Sequence, residues 1–165
     1  MFLLKPVFRG EKMPHWAYSA SGLDPDKTAR ASGRELRVST KNAREVCRAI
    51  RGMKLQEAKA LLESVMKKKT PIKFTRHVGE VGHHHGVHKG SVARYPVKIA
   101  SHLLEILEGA EANAEYKGLD LEKLRIRHAA VQKARSIRKN IPRAFGRSSR
   151  FYGELSHVEI VLEEV

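Results

Sequence analysis

The 165-residue chain has a single cysteine, Cys47. One thiol excludes an intramolecular disulfide framework and any zinc site built from several thiolates. Long apolar runs are missing as well, and none approaches the ~20 residues that a helix needs to cross a bilayer. The opening Met1-Phe-Leu-Leu-Lys-Pro-Val-Phe is interrupted too soon for a secretory h-region. The expectation is therefore a soluble intracellular protein without membrane insertion. No Ser/His/Asp constellation, P-loop or dinucleotide fingerprint occurs, so neither catalysis nor a cofactor is expected.

Acid is the residue class most unevenly missing. The chain holds 32 Lys+Arg against 18 Asp+Glu, a formal net charge of +14. From Lys123 to Gly153 there are ten Lys/Arg and no acid, and from Met66 to Lys98 eight Lys/Arg and one acid, Glu80. The rest of the chain is close to neutral. Two basic blocks on a near-neutral body do not resemble a surface tuned for solubility, which mixes both signs. They read as the footprint of a polyanionic partner. Neither block carries a broad apolar stripe, so nucleic acid is preferred to a membrane surface.

Residues 1–30 show no sustained period and read as an irregular tail. Either Met13 is the true start, or Phe2, Leu3 and Phe8 pin the tail to a neighbour. Glu35–Ser39 alternates like a short half-buried strand, and Ser39 is a good N-cap for a following helix. Ala43, Val46, Cys47 and Ile50 form one apolar helix face, with Lys41, Arg44, Arg48 and Arg51 opposite and Gly52 as the stop. A second helix is expected over about Leu55–Lys68, with Leu55, Ala58, Leu61, Leu62, Val65 and Met66 inward. The connection is short enough for the two helices to pack as an antiparallel pair. Thr70–Tyr95 reads as a loop. Pro96 opens a third helix, with Val97, Ala100, Leu103, Leu104, Leu107, Ala110 and Ala114 inward and Glu105, Glu108, Glu111 and Glu115 outward. Period two then takes over: Leu124, Ile126 and His128 alternate with Arg125 and Arg127, and Val158, Ile160 and Leu162 alternate with His157, Glu159, Val161 and Glu163.

The predicted architecture is a single α+β domain over residues 31–165. A three-stranded antiparallel sheet is packed by three helices, and a long basic β-hairpin extends over about 124–162. An arm of about 20 residues at ~3.3 Å each would reach roughly 60 Å. It carries Arg125, Arg127, Lys133, Arg135, Arg138, Lys139, Arg143, Arg147 and Arg150, interleaved with small residues that let the backbone approach a ligand. Arginine forks grip phosphates bidentately. Phe145, Phe151 and Tyr152 near the tip offer flat faces to unstacked bases. RNA is preferred to DNA because no reader helix for a major groove is evident. In the loop, His83, His84, His85 and His88 lack the spaced geometry of a dedicated metal site, with Glu80 the only nearby carboxylate. Contact with phosphates or bases, beside Lys89 and Arg94, is expected instead. Cys47 reads as a core residue.

Six segments in order carry a resemblance: Ser32-Gly-Arg-Glu-Leu-Arg-Val-Ser, Ala43-Arg-Glu-Val-Cys-Arg-Ala-Ile-Arg-Gly-Met, Arg94-Tyr-Pro-Val-Lys, Ala110-Glu-Ala-Asn-Ala-Glu-Tyr-Lys-Gly-Leu, Pro142-Arg-Ala-Phe-Gly-Arg and His157-Val-Glu-Ile-Val. Over about residues 16–165 the chain resembles the universal large-subunit ribosomal protein twenty-two family in its archaeal/eukaryotic form. The resemblance implies a small α+β body on the large-subunit surface and a hairpin that penetrates the large-subunit rRNA and lines the polypeptide exit tunnel. It implies support of assembly in the cytoplasmic large subunit, with rRNA, neighbouring ribosomal proteins and the nascent polypeptide as partners. By position in the motifs, Arg138, Lys139, Arg143 and Arg147 belong to the tunnel-tip region, where Phe145 also lies. Arg44, Arg48, Arg76 and Arg94 belong to the RNA face of the body. The His83–His85 triplet and Phe151-Tyr152-Gly153 depart from the family pattern, and residues 1–12 have no counterpart. A free-standing RNA chaperone or regulator using the same basic surface is the alternative.

Overall fold

The structure, a computed structural model, describes residues 18–87 and 91–165. The readings of Phe2, Leu3, Phe8, Met13, His88 and Lys89 lie outside the described residues.

Helix α1 (Thr40–Ile50) buries Ala43, Val46, Cys47 and Ile50, the stripe that the 3.6-residue period requires. Ser39 occupies the N-cap position, but its side chain makes no capping bond. The helix stops where Gly52 takes φ +83°, a left-handed conformation that costs glycine nothing. In α2 (Leu55–Met66), Leu55, Ala58, Leu62 and Val65 are buried. Met66 lies about 100° round from Val65 and is exposed, contrary to the expected inward position.

The expected pairing of α1 with α2 does not form. Helix α1 packs on strand β4 (Leu124–Ile137), and α2 packs on α3 (Val97–Tyr116). The short connector is the cause. Gly52 donates its N–H to the Ile126 carbonyl at 2.8 Å, and the Ile126 N–H returns to the Met53 carbonyl at 2.9 Å. These bonds cover the free edge of β4 near its start, a sheet edge that would otherwise stay open, and they turn the chain away from α1.

Inside the expected loop 70–95, β2 (Ile72–Phe74) and β3 (Val92–Arg94) form an antiparallel ribbon. Ile72, Phe74 and Ala93 are buried. Three residues are too few for their alternation to stand out in sequence. Helix α3 runs between the N-cap Pro96 and Gly118, and it buries Ile99 besides most of the expected stripe. Glu105, Glu108 and Glu115 face outward as expected, whereas Glu111 turns to α2 and binds Lys59 and Gln56.

The sheet has the order β1-β7-β4, with β1 (Thr28–Leu36) and β4 each antiparallel to β7 (Gly153–Glu164). Strand β1 replaces the strand expected at Glu35–Ser39, so Thr28–Arg30 are strand and not tail. Its small residues mask it in sequence, and α3 packs closely on it: a Cβ on Gly33 would stand 2.7 Å from Ile106 Cδ1 of α3. The three helices cover one face of the sheet, giving the predicted α+β layer with one continuous core.

The expected alternation of β4 breaks at a bulge. Ile126 pairs with Leu162 and His128 with Val161, which leaves Arg127 as the extra residue. His128 therefore shares the outer face with Val161, and Ala129 takes the core place opposite Ile160. Beyond Lys133, paired with the fully buried Ser156 whose hydroxyl donates to the Val38 carbonyl, the hairpin leaves the body. Residues 137–152 are all exposed, and β5 (Asn140–Pro142) and β6 (Ser148–Arg150) close the arm. Because the first part of β4 lies against α1, the free arm spans only about ten residues, roughly 35 Å instead of 60 Å.

Candidate nucleic-acid interface

Two left-handed residues build the arm tip, Phe145 at φ +58° and Gly146 at φ +66°. The Arg143 N–H donates to the Arg147 carbonyl at 2.7 Å, and the Phe151 N–H donates to the Lys139 carbonyl at 2.7 Å. The turn leaves Phe145 94% exposed, with Phe151 and Tyr152 also at the surface. Among the described residues, the side chains of Arg138, Lys139, Arg143, Arg147 and Arg150 make no hydrogen bond or ion pair. Five unneutralised cations thus sit within 13 residues on a ribbon that encloses no core.

The arm root differs from its sequence reading. An acid-free stretch is expected to repel itself, but the fold brings acids to it from elsewhere in the chain. Arg135 grips Glu35 with two bonds of 3.0 Å, Nε to Oε1 and Nη2 to Oε2. Arg127 pairs with Glu163 at 3.4 Å and Lys133 with Glu154 at 3.8 Å. These pairs are exposed, so each contributes only about 0–1 kcal/mol. Their larger effect is to neutralise the root and concentrate free positive charge at the tip. Arg125 is exposed and stands opposite Glu163 in the ladder.

On the body, α1, the turn after β2 and the middle of β4 enclose a cleft of about 470 Å³. Arg44, Arg48, Arg51 and Arg76 line it above a floor of Ala129, Ala130 and Val131. Arg44 and Arg48 follow from α1's polar face, and the turn after Phe74 adds Arg76. Arg51 lies in the same i, i+3, i+4 series but is not among the expected contacts. Its Nη2 donates to the Ala129 carbonyl at 2.7 Å, which ties the helix end to the middle of β4. Arg48 donates to the Thr75 hydroxyl. Arg94 pairs with Ile72 at the far end of the β2–β3 ribbon from Thr75, so it is exposed but not in the cleft.

Two buried carboxylates organise this surface, and neither is evident in sequence. Glu45 is 2% exposed. It accepts the Thr75 N–H at 3.1 Å, the Thr75 hydroxyl at 2.9 Å and the Arg76 N–H at 3.3 Å. Burial pushes its carboxyl up, but these donors, aided by the Arg44 charge, outweigh burial and hold it below the usual carboxylate value. Glu159 is fully buried on the outer face of β7. It accepts the Ser19 N–H and hydroxyl, the Gln132 amide at 2.6 Å and a His128 contact at 3.4 Å. Burial again raises its pKa, and the Ser19, Gln132 and His128 bonds overcome that and lower it. Glu159 thereby clamps the segment at Ser19 onto the arm root.

Cys47 is core, and burial pushes its thiol up to about 12 despite the opposing Arg51 charge. In the His loop, His83 Nδ1 contacts the Ser91 carbonyl at 3.1 Å, and the His84 ring meets Tyr95 edge-on at 5.1 Å.

The architecture agrees with what comparison finds. The model of the family described as ribosomal protein L22p/L17e matches residues 31–163. The large ribosomal subunit protein uL22 of Methanopyrus kandleri is 49% identical over 156 residues, which cover 93% of this chain and 98% of the relative. That of Methanocaldococcus jannaschii is 49% identical over 142 residues, 86% of this chain and 91% of the relative. That of Ignicoccus hospitalis is 45% identical over 158 residues, 93% and 99% respectively. Both the β1 strand and the full arm lie within the matched region except for the first residues of β1. The chain belongs to the ribosomal protein L22p/L17e family, a family of ribosomal proteins and not of enzymes.

Proposed function

We propose that this chain is a structural constituent of the large ribosomal subunit in the cytoplasm, that it binds large-subunit rRNA, and that its hairpin tip lines the polypeptide exit tunnel. The observation that carries the reading is the tip, where five unpaired cations stand on a ribbon with no core of its own. Such an element adds nothing to the body's stability and is suited to a polyanion. The arginines of the cleft extend the same surface onto the body. This geometry supports a role in assembly, since one protein that grips RNA both at the body and at the end of an arm holds separate RNA segments together. Exposed Phe145 lies where a nascent polypeptide or an unstacked base would meet the tip.

The test is binding of the full chain to a large-subunit rRNA transcript across a salt series. Log K is expected to fall by about 0.7–0.9 per phosphate contact for each decade of salt. An affinity that hardly changes from low to moderate salt would refute charge-based binding. Cofractionation with large subunits after a high-salt wash, at one copy each, separates the ribosomal role from that of a free RNA chaperone.

A further inference from the structure

We infer that the cleft bounded by Arg44, Arg48, Arg51 and Arg76 is a preorganised phosphate site for RNA backbone, and that the buried Glu45 is its positioning residue. The inference rests on the RNA-binding reading above and assigns it a second, separable anchor on the body.

Four guanidiniums around one cleft repel one another, so the arrangement needs something to hold it and something to neutralise it. The holding groups are visible. Arg51 is anchored on the Ala129 carbonyl. Arg48 is anchored on the Thr75 hydroxyl, and that hydroxyl in turn donates to Glu45. Glu45 also accepts the backbone N–H groups of Thr75 and Arg76, which fixes the turn bearing Arg76 against the helix bearing Arg44 and Arg48. Each anchored guanidinium keeps further N–H donors for a ligand, because the group has five. The neutralising group is absent from the cleft lining, which contains no carboxylate among the described residues, and Glu45 lies outside it, buried beneath the turn. The floor is Ala129, Ala130 and Val131, small enough for a sugar-phosphate chain to lie close. Forked donors converging on a concave, acid-free surface match phosphate oxygens, which accept them bidentately.

Glu45 gives the idea a sign that simple electrostatics does not share. Replacing a carboxylate by an amide beside an anion site removes one negative charge and on that ground tightens anion binding. A positioning role requires the opposite. In Glu45→Gln an amide N–H2 would face the Thr75 and Arg76 N–H groups, donor against donor, and the turn would be released.

The experiment titrates the full chain with inorganic pyrophosphate and follows the arginine Nε–H signals by NMR. Arg44, Arg48, Arg51 and Arg76 are expected to shift together and saturate, with a Kd at least tenfold below that of the tip arginines Arg138, Arg143 and Arg147. Glu45→Gln and Thr75→Ala are each expected to weaken the cleft Kd fivefold or more and leave the tip signals unchanged. Uniform, unsaturable shifts over all arginines would overturn the proposal, and so would tighter binding in Glu45→Gln. If Glu45→Gln does not fold, Thr75→Ala decides, since Thr75 is exposed and its unchanged affinity would refute the positioning chain. With the rRNA transcript, the double variant Arg44→Gln, Arg76→Gln is expected to lose at least tenfold in affinity. Full affinity in that variant, with loss in a tip variant, would refute the cleft and spare the RNA reading. Full affinity in both would refute RNA binding by either element.

Discussion

Replacing Arg138, Lys139, Arg143, Arg147 and Arg150 together by Gln isolates what the tip does. All five side chains are exposed and make no ion pair or hydrogen bond among the described residues, so their removal touches no packing. Unfolding free energy is therefore expected to stay within about 0.5 kcal/mol of wild type. RNA binding is expected to respond strongly. Five phosphate contacts at about 0.7–0.9 each set a contribution of roughly 3.5–4.5 to the slope of log K against log salt. Between about 50 and 200 mM salt, a fourfold change, that slope corresponds to about two to three decades of affinity lost by wild type and not by the variant. Urea unfolding reports the first quantity, and filter binding of a large-subunit rRNA transcript over the salt series reports the second. An unchanged slope would show that the tip cations do not meet phosphates. A stability loss above about 2 kcal/mol would show that the arm belongs to the folded body and that its isolation from the core has been misread.

Other consequences follow from the buried groups. Glu159→Gln is expected to cost about 1–3 kcal/mol in urea unfolding, because an amide donor would then face the Ser19 N–H in a buried site. Both Glu159 and Glu45 have pKa values below their ordinary one when folded. Their stabilisation is thus complete above the unfolded value of about 4.3 and is lost as pH falls through the folded values, so the urea midpoint of Glu159→Gln should vary less with pH in that acid range than wild type. Cys47, buried with its thiol pushed up to about 12, should resist alkylation at mildly alkaline pH in the folded protein and react at once in denaturant. Leu107→Ala removes a fully buried side chain at the centre of α3 and is expected to cost about 2–5 kcal/mol by thermal or urea unfolding.

Where sequence reading failed, the cause was a partner distant in the chain. The strand Thr28–Leu36 hides behind Ala, Ser, Thr and Gly, which give little periodic signal, and its partners β7 and α3 lie far along the chain. The ribbon of β2 and β3 is too short for a period and exists through pairing between segments well separated in the chain. Read alone, the acid-free arm repels itself, yet Glu35, Glu154 and Glu163 reach Arg135, Lys133 and Arg127 once strands align. The departure of α1 from α2 likewise depended on two backbone bonds to Ile126.

The amino-acid order alone determined the helices, the returning strands and the presence of a basic arm. Those depend on periodicity and on runs of charge, which are properties of neighbours along the chain. Tertiary structure decided which charges are left over. It cancelled the arm root with acids from other strands, left five cations bare at the tip, and gathered Arg44, Arg48, Arg51 and Arg76 from two elements around one cleft. It also buried Glu45 and Glu159, two ordinary-looking acids on polar positions, as the groups that hold this surface in place. Coulomb interactions depend on distance in space, and only the folded backbone sets those distances.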